Sequence, residues 1–580
     1  FIGYLLASGV VYFLGFYKML HKEIFFLVVF FGVCISIHKM KPISSKISFQ
    51  IKAFQKENLG KGVIICTGIF LVGRLFPILN FNSFGDPLNY NLPSGRDYLQ
   101  AGGFQWFEHA EFYWQAGLSD IGLIYLHSLT SHPMLAQLTA QAFYYLTGTL
   151  FLLLILHEGL FSKFIPERHS LWISFSLVAM GTFRLESIVA KPDYWLAVVF
   201  CLILVFIYEI LSEKNDENLL SYWTAVLLLS GLCLSTKPTS ILFLLPLVIG
   251  ILFFGNHSIP WGTGRFWSVS LVAAIFGLMN IFKSIYIFEN PIFPFANNIF
   301  LSKHWDNNAS EGMRNLFRLE SGSLIKFVEN ILMFLVGHPV NLLLLVVAFL
   351  WCLNRQGKDN TTKPLKDFLK ILSLSWVIGL AFWIIFLNPN VYPRFIVGFV
   401  FLTLLLTATL AIHYLGPMFQ PKYYKLQNSV RVIALLLTLS FSQIDVDFQQ
   451  SKNWITSKSL QQQWIDSSNL AKLQNYLNKN VTPKTKVLFN YTTKRFHANF
   501  IVYGARTFSP RTRFVYSKDK NQIKEGLKRI KPEYYVIRKD KIGTSGGLLE
   551  NKLFLDEKFK LLKNFKEYLL YKVPKDFEIF

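Results

Sequence analysis

Long apolar runs separated by short polar connections fill the first 445 residues of the chain. They fall at 2–17, 24–37, 62–80, 133–156, 171–189, 194–211, 221–236, 239–254, 266–288, 327–353, 369–387, 395–415 and 430–444. A helix needs about 20 apolar residues to cross a bilayer, so the pattern predicts about 13 transmembrane helices. The run at 24–37 is short for a span, and the apolar stretch 118–131 fits an interfacial helix better.

Beyond residue 445 the pattern changes. Leu470–Asn478 reads as a helix, Lys486–Tyr491 as a buried strand, Lys520–Ile530 as a second helix and Glu533–Ile537 as a second strand. Phe559–Val573 reads as a terminal hairpin. Alternating helices and strands predict a small α/β domain. Gly543–Gly547 follows no suitable strand and reads as a flexible turn rather than a phosphate loop. The expected architecture is a polytopic α-helical membrane domain over 1–445 and a soluble domain over 446–580.

The basic residues orient this arrangement, because loops rich in Lys and Arg stay cytoplasmic. Lys39, Lys41, Lys46, Lys52, Lys56 and Lys61 crowd the 38–61 connection, whereas Arg96 is the only Lys or Arg in 81–132. Alternation then places 81–132 outside, the N-terminus inside and the C-terminal domain on the extracytoplasmic face, as in a bacterial inner-membrane protein. The first apolar run has no small-residue cleavage pattern after it and reads as a retained span.

Composition agrees: 52% of the residues are hydrophobic and only 16% are charged, against about 25% in soluble domains. The net charge of +23 is uneven, since 446–580 holds 27 Lys/Arg against 12 Asp/Glu. Nothing in that region resembles a nucleic-acid motif. Membrane lipids with anionic headgroups, or phosphorylated substrates, fit the charge better than nucleic acid. All five cysteines lie in apolar runs, so they read as packing residues.

The first long loop, 81–132, interleaves Asp86, Arg96, Asp97, Glu108, His109, Glu111 and Asp120 with Trp106, Trp114 and several tyrosines. Carboxylates among aromatic rings suit a carbohydrate or a polar lipid headgroup, the rings stacking on sugar faces while carboxylates accept protons or hydroxyl hydrogen bonds. The same composition also describes an ordinary loop with interfacial aromatic anchors. On the same side, lone charges sit beside prolines at the span ends: Lys191-Pro-Asp193, Lys237-Pro238, Asn290-Pro291 and Tyr392-Pro-Arg394. Charges at membrane edges tend to line functional cavities, although a single one can simply snorkel.

These segments resemble the GT-C superfamily of membrane glycosyltransferases, the protein mannosyltransferases and lipid A aminoarabinose transferases among them. Asp86-x3-Tyr90-x-Leu92-Pro93 is similar to the family's first-loop pattern, with Asn91 where many members have His. Lys191-x-Asp193, the lysine of STKPTS, NPIFPF and YPRF resemble later family motifs in the same order.

The resemblance implies transfer of a sugar from a polyprenyl-phosphate-linked donor to the hydroxyl of a glycan, lipid or protein acceptor on the outer face. It implies Asp86 as general base, with Arg394, Lys237 and, more weakly, Lys191 countering charge on the departing lipid phosphate. Arg394 would grip phosphate oxygens bidentately, which Lys cannot. Asp193 or Glu111 would orient the acceptor or hold a divalent cation, which some branches use and others do not. Tyr90, Arg96, Glu108 and His109 complete the expected substrate-binding set. The alternatives are a transporter or flippase, a non-catalytic assembly protein for lipid-linked glycans, and an inactive relative on the same scaffold. The absence of an internal repeat of the loop motif weighs against transport.

Overall fold

The computed structural model describes residues 2–28, 87–163, 192–317, 363–386 and 462–576. Short interruptions fall at 26, 111–112, 114–115, 118–119, 121–122, 131, 214, 256–258, 295, 303, 463, 466–467, 491–494 and 506–508, and residues 170 and 174 are also described. The expected spans at 62–80, 327–353, 395–415 and 430–444, and most of those at 24–37 and 171–189, lie outside these residues, so the count of 13 is not tested.

Helices occupy the expected runs that are described. They are α1 (Ile2–Phe16), α2 (Leu92–Gln100), α3 (Ile124–Leu129), α4 (Pro133–Leu154), α5 (Pro192–Ser212), α6 (Asp216–Thr236) and α7 (Ile241–Phe254). They continue with α8 (Gly264–Gly277), α9 (Met279–Phe288), α10 (Asn297–Phe300), α11 (Asn307–Phe317) and α12 (Lys363–Phe386). Among the described residues, three stretches are long and apolar enough to cross a membrane: Trp195–Ser212, Asp216–Thr236 and Gly264–Phe288. The protein is therefore a polytopic membrane protein carrying a small C-terminal sheet.

Within the bundle α5 packs on α4, α6 and α12, α6 on α8, and α7 on α12. The α6–α8 contact is close because Gly231 has no side chain; a Cβ there would lie 2.5 Å from the Ala273 carbonyl oxygen. Small residues at such crossings let helix backbones approach where lipid offers no hydrophobic drive. Polar groups tie the bundle as well. The Tyr12 hydroxyl donates to Asn280 Oδ1 at 2.5 Å, and the Asn280 amide donates to the Ser235 carbonyl.

The C-terminal region forms a five-stranded sheet from β1 (Lys486–Phe489), β2 (Ile501–Gly504), β3 (Tyr534–Arg538), β4 (Lys560–Asn564) and β5 (Tyr568–Lys572), in the order β2-β1-β3-β5-β4. β1 runs parallel to β2 and β3, while β5 runs antiparallel to β3 and β4. Alternation along β1 explains the layers. Val487 and Phe489 face α13 (Asn469–Asn480) through Leu470, Leu473 and Leu477. Leu488 faces α14 (Lys520–Ile530) through Ile523 and Leu527, and α15 (Lys552–Lys558) covers that side with Leu555.

The sheet confirms the α/β reading of the sequence and extends it. The strand Ile501–Gly504 and the helix Lys552–Lys558 were not expected from the sequence pattern. Within the described part of 118–131, Ile124–Leu129 is helical and packs on α2, with Ile124 and His127 buried and Leu129 exposed. The His127 ring bonds the Leu92 carbonyl at 2.9 Å, which ties this short helix to α2.

Candidate active site

The first loop enters as a π-helical turn, Pro87–Asn91, and continues into α2, whose Pro93 sits in the first turn, where its missing N–H has no helical partner to lose. Seven of the nine α2 residues are buried, so this polar-looking stretch is part of the core. Asn91 donates to Asp120 Oδ1 at 2.8 Å, and the Gly117 amide donates to Asp120 Oδ2 at 3.1 Å. Asn91, at the position where the resembling family often has His, thus holds a fully buried carboxylate.

Lys283 of α9 is buried beneath the same segment. Its ammonium donates to the Ala116 carbonyl and to the Tyr113 carbonyl, the latter at 3.4 Å, with Asp120 as the nearby countercharge. Gly117 lies directly on the Thr236 carbonyl at the end of α6. Lys237 is the next residue, so the structure brings this expected phosphate ligand to the edge of the loop. The Thr236 and Ser240 hydroxyls beside it are buried, with no hydrogen-bond partner among the described residues.

A second network joins the loop to the C-terminal sheet domain. Asp97 accepts from Arg96 Nε at 2.8 Å and from the Tyr113 hydroxyl. Arg96 Nη1 donates to the Phe496 carbonyl at 2.7 Å. Arg495 lies over the Tyr113 ring, 4.7 Å from its centroid, and donates to the His109 carbonyl. The Arg495 and Phe496 amides both donate to the Leu88 carbonyl, at 3.1 and 3.2 Å. His497 bonds the Gln137 side chain at 2.7 Å. Around the rim, Arg511 pairs with Glu108 at 3.4 Å and Arg513 with Asp306 at 2.8 Å.

Burial works against the Asp97 carboxylate, but Arg96, the Tyr113 hydroxyl and Arg495 outweigh it and hold the pKa below the usual range. Burial and the same carboxylate push the Tyr113 hydroxyl well up. Burial, then Arg495, pushes His109 down to about 4. Burial likewise lowers His127 to about 4 and His497 to about 3.

These last two histidines fold neutral but ionise near 6.5 when exposed. Their contribution to stability is complete above about pH 6.5 and is lost as the pH falls toward 4, because the unfolded chain then binds more protons. Thermal unfolding of the solubilised protein is expected to shift to lower temperature between pH 7 and pH 5. A His497→Gln variant should show a smaller shift than wild type.

Arg96, Glu108 and His109 therefore lie together at the junction of the loop and the sheet domain, and Tyr90 is half-buried in the π-turn. Asp193 is the second residue of α5. Asp86, Glu111, Lys191 and Arg394 lie outside the described residues. Among the described residues no three His, Cys, Asp or Glu side chains converge as a metal requires. Sequence reasoning missed Lys283 and Arg495. A lone lysine inside the apolar run 266–288 is a recognisable signal, whereas nothing local marks Arg495.

No family model and no curated protein sequence matches the chain. Solved structures do. The crystal structure of ArnT from Cupriavidus metallidurans bound to undecaprenyl phosphate superposes with a TM-score of 0.57 at 13% identity, over 89% of this chain and 99% of that one. The chain shares the fold of ArnT. The apo form of the same ArnT gives 0.56 at 14% identity, over 90% and 99% of the two chains. An oligosaccharyltransferase from Archaeoglobus fulgidus, crystallised with Zn and sulfate, matches at 0.44 and 13% identity, over 87% of this chain and 74% of that one. The shared fold extends over about nine tenths of this chain.

Proposed function

We propose that the protein is a GT-C-type glycosyltransferase that moves a sugar from a polyprenyl-phosphate-linked donor to an acceptor hydroxyl on the extracytoplasmic face. The observation that carries this reading is the GT-C fold extending over 99% of an ArnT chain crystallised with undecaprenyl phosphate. The buried setting of the first loop supports it, because a carboxylate held at a water-poor membrane surface is placed to take a proton as the acceptor oxygen attacks the anomeric carbon. Asp86 is assigned that role. It stands one residue before the π-turn whose Leu88 carbonyl is gripped by the sheet domain.

The departing lipid phosphate gains charge in the transition state, so fixed donors around it lower the barrier. Lys237, flanked by the buried Thr236 and Ser240 hydroxyls, is assigned to it, with Arg394 as a bidentate partner and Lys191 as a further cation. Burial leaves those two hydroxyls with unfilled hydrogen-bonding capacity, which a phosphate oxygen can meet. Asp193 or Glu111 is assigned to orient the acceptor or to hold a divalent cation.

Reconstitution with a polyprenyl-phosphate sugar and a candidate acceptor tests the assignment. Asp86→Asn is expected to lower turnover by about 10²–10⁴-fold, the usual contribution of general base catalysis, while carrier binding persists. Normal turnover by that variant would remove Asp86 from the mechanism. Carrier translocation without transfer by the wild type would replace the enzyme reading with transport.

A further inference from the structure

The loop after α9 displays a feature that the transfer chemistry does not use. Phe293 stacks on Phe288 with ring centroids 4.0 Å apart, Trp305 meets Phe293 edge-on at 5.3 Å, and Trp106 of the first loop closes on Phe288 at 5.4 Å. Asn297, itself buried, ties the next turn. Its amide donates to the Trp305 carbonyl and its side-chain oxygen accepts from the Ser302 amide, both at 2.8 Å. The Ser310 hydroxyl donates to the Pro294 carbonyl at 2.6 Å.

From this well-tied base the loop turns large apolar side chains outward. Ile299 is 69% exposed and Leu301 72%, with Phe300 between them also exposed. Ala296 and Leu301, which bracket α10, have φ of 51° and 50°. Non-glycine residues rarely adopt that left-handed conformation, and it persists only where the surroundings over-determine it. Asn297 supplies that constraint, so the outward display is built into the loop.

The partner is read from what adjoins it. Along α8 and α9, Leu271 and Ile275, then Leu278 at the junction, then Phe282 and Ile285 are all exposed at three- or four-residue spacing, an apolar stripe running down both helices. In a membrane span such a stripe meets lipid. The exposure continues through Ile292, half exposed, into the loop tip. Asp306 pairs with Arg513, so the loop lies at the same end of the bundle as the C-terminal sheet.

We propose that the Asn290–Asp306 loop is an interfacial membrane anchor, its Ile299–Leu301 tip seated among the acyl chains of the leaflet on the sheet-domain side. The proposal is independent of the transfer reaction. Apolar side chains at the headgroup–acyl boundary leave water without leaving the surface of the membrane, and the stripe on α8–α9 makes the lipid contact continuous from span to loop.

Depth-dependent quenching tests it. Leu301→Cys and, separately, Ile299→Cys are labelled with an environment-sensitive fluorophore in the full chain and placed in phosphatidylcholine–phosphatidylglycerol vesicles free of polyprenyl phosphate. Identically treated wild type corrects for the native cysteines, and Asn521→Cys on α14 serves as the water-exposed reference. The loop labels are expected to be quenched at least threefold more by shallow nitroxide-bearing lipids than by aqueous iodide, and Asn521→Cys the reverse. Iodide-dominated quenching at both loop positions would overturn the proposal. So would lipid quenching that appears only after polyprenyl phosphate is added, which would make the carrier the partner. Shielding that vanishes on dilution of the protein among vesicles would also overturn it, since a second copy would then cover the tip.

Discussion

Asp97→Ala is expected to destabilise the protein by about 3 kcal/mol, near the lower end of what breaking a buried ion pair costs. The carboxylate accepts from Arg96 and from the Tyr113 hydroxyl, and Arg495 lies against the far side of the Tyr113 ring. Removing it leaves the Arg96 guanidinium with only the Phe496 carbonyl in this network and the Tyr113 hydroxyl without its acceptor. The Tyr113 hydroxyl sits where water replaces a lost partner poorly. Asp97→Asn keeps an acceptor for Tyr113 and should cost less. The measurement is thermal unfolding in detergent beside limited proteolysis of residues 87–132, whose cleavage should accelerate in the alanine variant. An unchanged melting temperature with unchanged proteolysis would mean that Asp97 does not join the loop to the sheet domain. This placement also separates two neighbouring aspartates: Asp97 is held by structural partners, and the base role falls to Asp86 in the proposed reaction.

Gly117→Val is expected to be more damaging still, at about 4 kcal/mol or loss of the folded protein. A Cβ at Gly117 would overlap the Thr236 carbonyl oxygen, a backbone atom at a helix end that cannot swing aside. Lifting the segment would take with it the Ala116 and Tyr113 carbonyls that accept from Lys283, and the Gly117 amide that donates to Asp120. Uncompensated buried charge on Lys283 and Asp120 would then add to the steric cost. Size-exclusion recovery after detergent extraction, with thermal unfolding of whatever survives, reads the effect. Gly117→Ala should behave in the same direction, and wild-type stability of Gly117→Val would show that the loop does not seat on α6.

Much of this fold was legible because lipid imposes a simple rule on sequence. The runs 133–156, 194–211 and 221–236 agree with α4, α5 and α6 to within a few residues, since a span must satisfy its own backbone and present apolar side chains. The run 266–288 read as one helix, whereas the chain pauses at Leu278 between α8 and α9. In the C-terminal region the helix Lys520–Ile530 agrees to the residue, fixed by the Asp519 cap at one end and the left-handed Lys531 at the other. β2 escaped notice because four residues in a parallel strand carry too little alternation to read.

The candidate site was legible in its loop but not in its partners. Arg96, Glu108 and His109 could be singled out as polar residues beside a membrane, but not that each meets the sheet domain. The contact lies in a turn, Arg495–His497, whose composition is ordinary and whose meaning comes from tertiary geometry. Asn91 reads as a departure from a motif until Asp120 is seen opposite it.

The grip of Arg495 and Phe496 on the Leu88 carbonyl also sets a timetable. Arg96 and the Phe496 carbonyl it bonds are 400 residues apart in the chain, so at about 5–20 residues per second the first loop is made roughly 20–80 s before its clamp. During that interval the loop is held from below by whatever spans have already inserted, Lys283 joining them about halfway through. The turn that fastens the loop is thus made long after the loop itself, and a ribosome that stops short of residue 495 leaves the loop without the Arg495 and Phe496 contacts.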